Sequence, residues 1–153
     1  MADPRILIID DDHDVLLTAR MFLEQLEFDV TVLSNPENIL SQIAREHYDV
    51  ILLDMNFQRG KTEGVEGIRW LEAIREHEPD IVGMSSLLTV ALETTKQTID
   101  AIAEAGLRDK VRIIVGGGRI DSHATEYIKP DASTDNAAQG VRMCIGLMRG
   151  EGV

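Results

Sequence analysis

Three short runs of this chain are apolar at every position, Ile6-Leu7-Ile8-Ile9, Val50-Ile51-Leu52-Leu53 and Ile113-Ile114-Val115, and a fourth, Ile81-Val82-Gly83-Met84, is broken only by a glycine. A strand with one face in water alternates apolar and polar residues, so a continuous apolar run belongs to a strand covered on both faces. Stretches of helical periodicity lie between the runs. That alternation predicts a doubly wound parallel sheet in a three-layer α/β/α sandwich. The strands fall at 5–9, 28–33, 49–54, 81–85 and 111–116, with a weaker sixth within 125–133, so five or six are expected. Helices are predicted at 14–26, 36–46, 65–77, 90–105 and 136–149. The first would bury Val15, Ala19, Phe22 and Leu26. The second would start on Asn35 as N-cap with Pro36 at its first position, and the fourth would stop at Gly106.

A chain of 153 residues and 17.0 kDa suits a single domain, 1–153, with a full core. Its net charge of −12 argues against nucleic acid and anionic membrane as direct partners. The charge is uneven: −10 over residues 1–79 and −2 over residues 80–153. The single cysteine, Cys144, excludes an internal disulfide and suits a reducing compartment. Neither a signal peptide nor a run of 18 apolar residues is evident, so a cytoplasmic location is expected.

Two strands deliver acids. Asp10-Asp11-Asp12 follows the first run and Asp54 ends the third strand. If those strands are neighbours, the carboxylates converge above the sheet. Clustered carboxylates repel one another unless a cation sits among them, and Mg²⁺ is well served by a few carboxylates and water. A metal-bound aspartate can then attack a phosphoryl donor. The competing reading is a solvated acidic loop in which Asp12 or Asp14 caps the first helix. The polar segment 56–64 follows Asp54 at the end of the sheet where this architecture holds its ligands.

Residues 5–79 resemble the first three β-α units of a response-regulator receiver domain of the sigma-54 activator type. The carriers are Arg5-Ile6-Leu7-Ile8-Ile9-Asp10-Asp11-Asp12, Asp49-Val50-Ile51-Leu52-Leu53-Asp54-Met55 and Glu66-Gly67-Ile68-Arg69-Trp70-Leu71. The resemblance implies a flavodoxin-like fold, Asp54 as phosphoacceptor, Mg²⁺ held by Asp10, Asp11, Asp54 and the Asn56 carbonyl, and a sensor histidine kinase as partner. It also implies a hydroxyl ending the fourth strand, from Ser85 or Ser86, and a lysine ending the fifth. The fifth strand ends instead in Gly116-Gly117-Gly118, and Lys129-Pro130 would serve only if a sixth strand took that place.

Residues 80–149 resemble the second half of a corrinoid (cobalamin)-binding domain of the methyltransferase type. Val82-Gly83-Met84-Ser85-Ser86-Leu87-Leu88-Thr89, Ile114-Val115-Gly116-Gly117 and Gly140-Val141-Arg142-Met143-Cys144 carry this likeness. It implies that Ser85, Leu87, Thr89, Gly116 and Gly117 line the cleft for the cofactor's nucleotide tail. The other reading of the glycines is a tight turn. The same family carries Asp-x-His-x-x-Gly after its first strand, with histidine as lower cobalt ligand. Here Asp11-Asp12-His13 supplies the first part, and Leu16 stands where the glycine belongs. In that family the serine strand is third, beside the first. Here it is fourth, which predicts six strands.

The chain therefore reads as a hybrid of two flavodoxin-like parents, engineered or naturally fused, joined near Pro79-Asp80. The functions it implies are a non-enzymatic Mg²⁺-binding receiver module with Asp54 as phosphoacceptor and impaired switching, a cobalamin-binding module, or a folded scaffold without activity. The expected state is a monomer or homodimer.

Overall fold

A computed structural model describes residues 4–54, 65–86, 89–118 and 120–151, the side chains of 36, 65–70 and 89–90 excepted. Among the described residues six strands alternate with six α-helices: β1 (Arg5–Ile9), α1 (His13–Glu24), β2 (Asp29–Leu33), α2 (Ile39–Ile43), β3 (Val50–Asp54), α3 (Val65–His77), β4 (Ile81–Ser85), α4 (Thr89–Glu104), β5 (Arg112–Gly116), α5 (Ser122–Ile128), β6 (Ala132–Thr134) and α6 (Ala137–Met148). The strands form one parallel sheet in the order β2-β1-β3-β4-β5-β6. This is the flavodoxin-like arrangement the apolar runs predict, with the sixth strand present.

The alternation of each strand sorts its side chains onto two faces. Leu7, Ile9, Ile51, Leu53, Val82, Met84, Ile113 and Val115 meet α2, α3, α4 and α5 on one side. Ile6, Ile8, Val30, Val50, Ile81, Ile114 and Ala132 meet α1 and α6 on the other. Helices thus cover both faces, and the continuous apolar runs are explained.

Several local expectations differ from the structure. α1 buries Leu16 and Leu23 rather than Val15, Phe22 and Leu26, which are left 40–46% exposed. The Asp12 carboxylate accepts from the backbone N–H groups of Asp14 and Val15 and so fixes where the helix starts and which face turns inward. The predicted second helix is shorter: residues 36–38 form a 3₁₀ turn, and Asn35 accepts from Glu37 N–H within that turn instead of capping α2. The weak strand signal at 125–133 divides into α5 and the three-residue β6. Asp121 caps α5 through Ala124 N–H, and Lys129 ends it in a left-handed conformation, φ 58°.

Candidate functional site

Parallel pairing aligns the C-terminal ends of the strands. Ile9 pairs with Leu53, Asp54 with Ser85, Ser85 with Gly116, and Gly116 with Thr134. One step beyond β1, Asp10 therefore stands beside Asp54. A single row, Asp10, Asp54, Ser85, Gly116, Thr134, crosses the sheet at the end where doubly wound folds hold ligands. β1 and β3 flank the point where the chain reverses its winding, and their acids open that crevice.

One carboxylate oxygen from each of Asp10, Asp11 and Asp54 lies within 4.8 Å of the others. Asp10 is buried, Asp11 exposed and Asp54 half-buried. Burial pushes the Asp10 carboxyl above its ordinary range, and the neighbouring charges of Asp54, Asp11 and Asp12 push the same way against a hydrogen bond from Asp12 N–H. Ser85 Oγ donates to Asp54 Oδ1 at 3.1 Å. Of the two candidate hydroxyls, Ser85 reaches the acid. Asp12 is occupied as the cap of α1. Asn56 and Leu87 lie outside the described residues, as does the side chain of Thr89. Lys129 does not reach this site: it precedes β6, so it stands at the opposite end of the sheet from the strand termini that carry Asp10 and Asp54.

The serine-glycine edge adjoins the acids. Ser86 N–H donates to the Gly116 carbonyl at 2.8 Å, continuing the β4–β5 ladder past its end. Gly117 adopts φ +142°, and a β-carbon there would sit 2.1 Å from the Ser86 carbonyl oxygen. The side chain missing at Gly117 makes room for protein backbone. Gly118 is different, with no described residue within 4 Å of where its β-carbon would be. Ser86 Oγ is fully buried and, among the described residues, has no hydrogen-bond partner. A buried hydroxyl without a partner costs about 1–3 kcal/mol, so an incoming polar group gains what the fold leaves unmet. The sequence pairs Ser85 with Ser86 but does not reveal that one hydroxyl is satisfied by Asp54 and the other by no described residue.

His13 is the first residue of α1 and is exposed. β3 lies between its strand and the serine strand, which separates the two by two interstrand spacings, about 10 Å. His13 and Ser86 therefore do not flank a common inter-strand crevice. Cys144 on α6 is half-buried, and burial pushes its thiol up to about 11, so it stays protonated and unreactive at neutral pH.

Known proteins resemble this chain in sequence and in fold. The dimethylamine corrinoid protein of Methanosarcina barkeri is 35% identical over 72 residues, 47% of this chain and 34% of that protein. The chain spans about a third of the length of that curated relative. A cobalamin-binding protein from Desulfitobacterium hafniense DCB-2 superposes with a TM-score of 0.61 at 25% identity, covering 95% of this chain and 59% of that one. A two-component response regulator from Clostridium difficile superposes with a TM-score of 0.60 at 15% identity, covering 96% and 97% respectively, a likeness of fold alone. The model of the B12 binding domain matches residues 32–140, running through the expected join at Pro79-Asp80. By that match, over well more than half its length, the chain belongs to the B12 binding domain family.

Proposed function

We propose that the chain is a corrinoid-binding module of the methyltransferase-associated type, a carrier that holds its cofactor through the nucleotide tail and is not itself an enzyme. The observation that carries this reading is the buried Ser86 hydroxyl, without a partner among the described residues, on the serine-glycine edge of a B12 binding domain. Ser86 would hydrogen-bond the tail, and the open face over Gly118 would admit it. Ser85, Gly116 and Gly117 would hold that edge in shape. When bound, a corrinoid supplies a cobalt centre able to accept and hand on a methyl group. The protein partner would be a methyltransferase, the class of enzyme that a carrier of cobalt-bound methyl groups serves; the relatives are named as dimethylamine and monomethylamine corrinoid proteins. Titration of hydroxocobalamin, followed by absorbance and equilibrium dialysis, tests this. Binding that weakens about tenfold in Ser86→Ala and is unchanged in His13→Ala is expected. No retention by the folded protein at millimolar cobalamin would refute it.

A second reading rests on a separate observation, the Asp10, Asp11 and Asp54 oxygens within 4.8 Å and the Ser85 hydrogen bond to Asp54. These groups would bind Mg²⁺, with Asp54 accepting a phosphoryl group from a small phosphodonor or a sensor histidine kinase. The lysine that a receiver places nearby is replaced by Gly116 in the register row, so a phosphorylated state would lack that contact and switch poorly. Incubation with Mg²⁺ and acetyl phosphate should add one phosphoryl group to the intact mass and none to Asp54→Asn. Equal mass in both proteins would refute the phosphoacceptor role. Mg²⁺ should also raise the unfolding midpoint of the wild type more than that of Asp10→Asn, and an equal rise would refute the metal site.

A further inference from the structure

The end of the sheet remote from the acids carries a second cluster of titratable groups. Asp49 knots three strands together there. Arg5 N–H donates to the Asp49 carboxylate at 2.7 Å, Asp49 N–H to the Arg5 carbonyl at 2.9 Å, and Ile81 N–H to the Asp49 carbonyl at 3.2 Å. One residue earlier, Tyr48 is fully buried. Its backbone N–H donates to a side chain, Nε2 of His77, at 2.9 Å. His77 is the last residue of α3, and beyond it the chain turns through Glu78, φ 42°, into β4. This contact fastens the end of α3 to the approach to β3, 29 residues earlier.

An imidazole accepts a hydrogen bond only at a bare nitrogen, so the contact exists only while His77 is neutral with its proton on Nδ1. A second proton would set one N–H against another, and ring and amide would part. The surroundings resist that proton. Burial of the half-buried ring acts first, then the charge of His47, whose ring centroid is 4.9 Å away. The Glu46 backbone carbonyl and the Asp49 charge pull the other way. Both carboxylates of this loop have other partners: Asp49 has Arg5 N–H, with His47 Nε2 at 3.7 Å, and Glu46 has the Arg5 guanidinium and the Tyr48 hydroxyl. α2 brings no charged residue from Ile39 to Ile43. On α4, Lys96 pairs with Asp100 and Glu93 accepts from Tyr127, with Glu104 at the helix end. The last turn of α3 adds Arg75 and Glu76, and Glu78 pairs with Lys110 at 3.1 Å.

We propose that the His77–Tyr48 contact is an acid-operated latch: protonation of Nε2 releases the Tyr48 N–H and lets the last turn of α3 lift from the approach to β3 while the sheet stays formed. The opening is local, because Ala73 and Ile74 hold the preceding turn in the core and the three bonds at Asp49 do not involve the imidazole. A histidine held below its ordinary value supports the closed form above that value and withdraws the support as pH falls. The latch is therefore shut at neutral pH and opens in acid. This inference does not depend on which ligand the strand ends hold.

Amide hydrogen exchange of the whole chain, followed by NMR and expressed as protection relative to each amide's intrinsic rate, tests it between about pH 7.5 and pH 5, either side of the ordinary histidine value. Tyr48 N–H, and Glu78 N–H on the Ile74 carbonyl, should lose about tenfold or more of their protection across that range, the effect of one pKa unit. Val82 N–H in β4 should change much less. His77→Gln, whose amide oxygen accepts from Tyr48 N–H at any pH, should hold Tyr48 protection constant. His47→Gln removes the charge that opposes the proton and should start the loss at higher pH. The proposal is overturned by wild-type Tyr48 protection that does not change with pH, by a loss that persists in His77→Gln, or by an equal loss at Val82.

Discussion

Substituting the two neighbouring glycines Gly117 and Gly118 with alanine separates protein packing from ligand access. At Gly117 an added β-carbon would lie 2.1 Å from Ser86 O, 2.8 Å from Ser86 C and 3.2 Å from Ser86 N, all backbone atoms that no rotamer change can move aside. At φ +142° the alanine also carries backbone strain of about 1–3 kcal/mol. Relieving the overlap displaces Ser86 and breaks its 2.8 Å bond to Gly116 O, another ~1 kcal/mol. Gly117→Ala should therefore cost about 2–4 kcal/mol, a large share of the roughly 5–15 kcal/mol that holds a domain folded. Gly118→Ala meets nothing within 4 Å and should stay within about 0.5 kcal/mol of wild type. Urea unfolding reads both: with a slope of about 2 kcal/mol/M the Gly117→Ala midpoint falls by about 1–2 M and that of Gly118→Ala hardly moves. A Gly117→Ala loss under about 1 kcal/mol, below the strain range alone, would refute the reasoning. If Gly118 lies on the path of a nucleotide tail, Gly118→Trp should lower cobalamin retention with the fold intact.

The face that α1 buries can be read by truncation. Leu16→Ala should cost about 2–4 kcal/mol, whereas Val15→Ala, at a side chain 46% exposed, should change unfolding free energy by less than about 0.5 kcal/mol; the reverse order would mean that the helix is turned. At the other end of the sheet, His77 Nε2 accepts a hydrogen bond from Tyr48 N–H at 2.9 Å, and burial, followed by the charge of nearby His47, holds its imidazole below the ordinary histidine value against the opposing pull of Asp49. A histidine whose folded value is lowered contributes stability that is present above the unfolded pKa, about 6.5, and is lost as pH falls through the folded value. Wild type should thus lose more unfolding free energy than His77→Gln between about pH 7 and pH 5, and parallel pH profiles would refute this.

The sequence announces those features that depend on local pattern. Runs such as Ile6–Ile9 and Val50–Leu53 must be covered on both faces, so a parallel sheet and its five longer strands follow from them. α1 shows where pattern alone stops. Val15, Ala19, Phe22 and Leu26 share one side of the helix as convincingly as Leu16 and Leu23 share another, and only the cap at Asp12 and the packing over β2 choose between them. β6 is too short for any periodicity, and the chain before it carries the apolar spacing of α5, so the two blur into one weak signal. The site divides in the same way. Asp10 and Asp54 are legible because each terminates an apolar run, and parallel neighbours bring such ends together. The inequality of Ser85 and Ser86 is not legible, because it is a matter of register: Ser85 stands opposite Asp54, while the hydroxyl of the next residue is buried and has no partner among the described residues. The strand order then decides the functional reading. With β3 between β1 and β4, the acids occupy the crevice at the change of winding, and the serine-glycine edge lies one strand away from it. A cation among the acids and a tail along Ser86 and Gly118 would thus occupy adjacent positions in the same row of strand ends. Bringing His13 to the tail's side would require β1 and β4 to be neighbours, which the β1–β3 and β3–β4 pairings exclude.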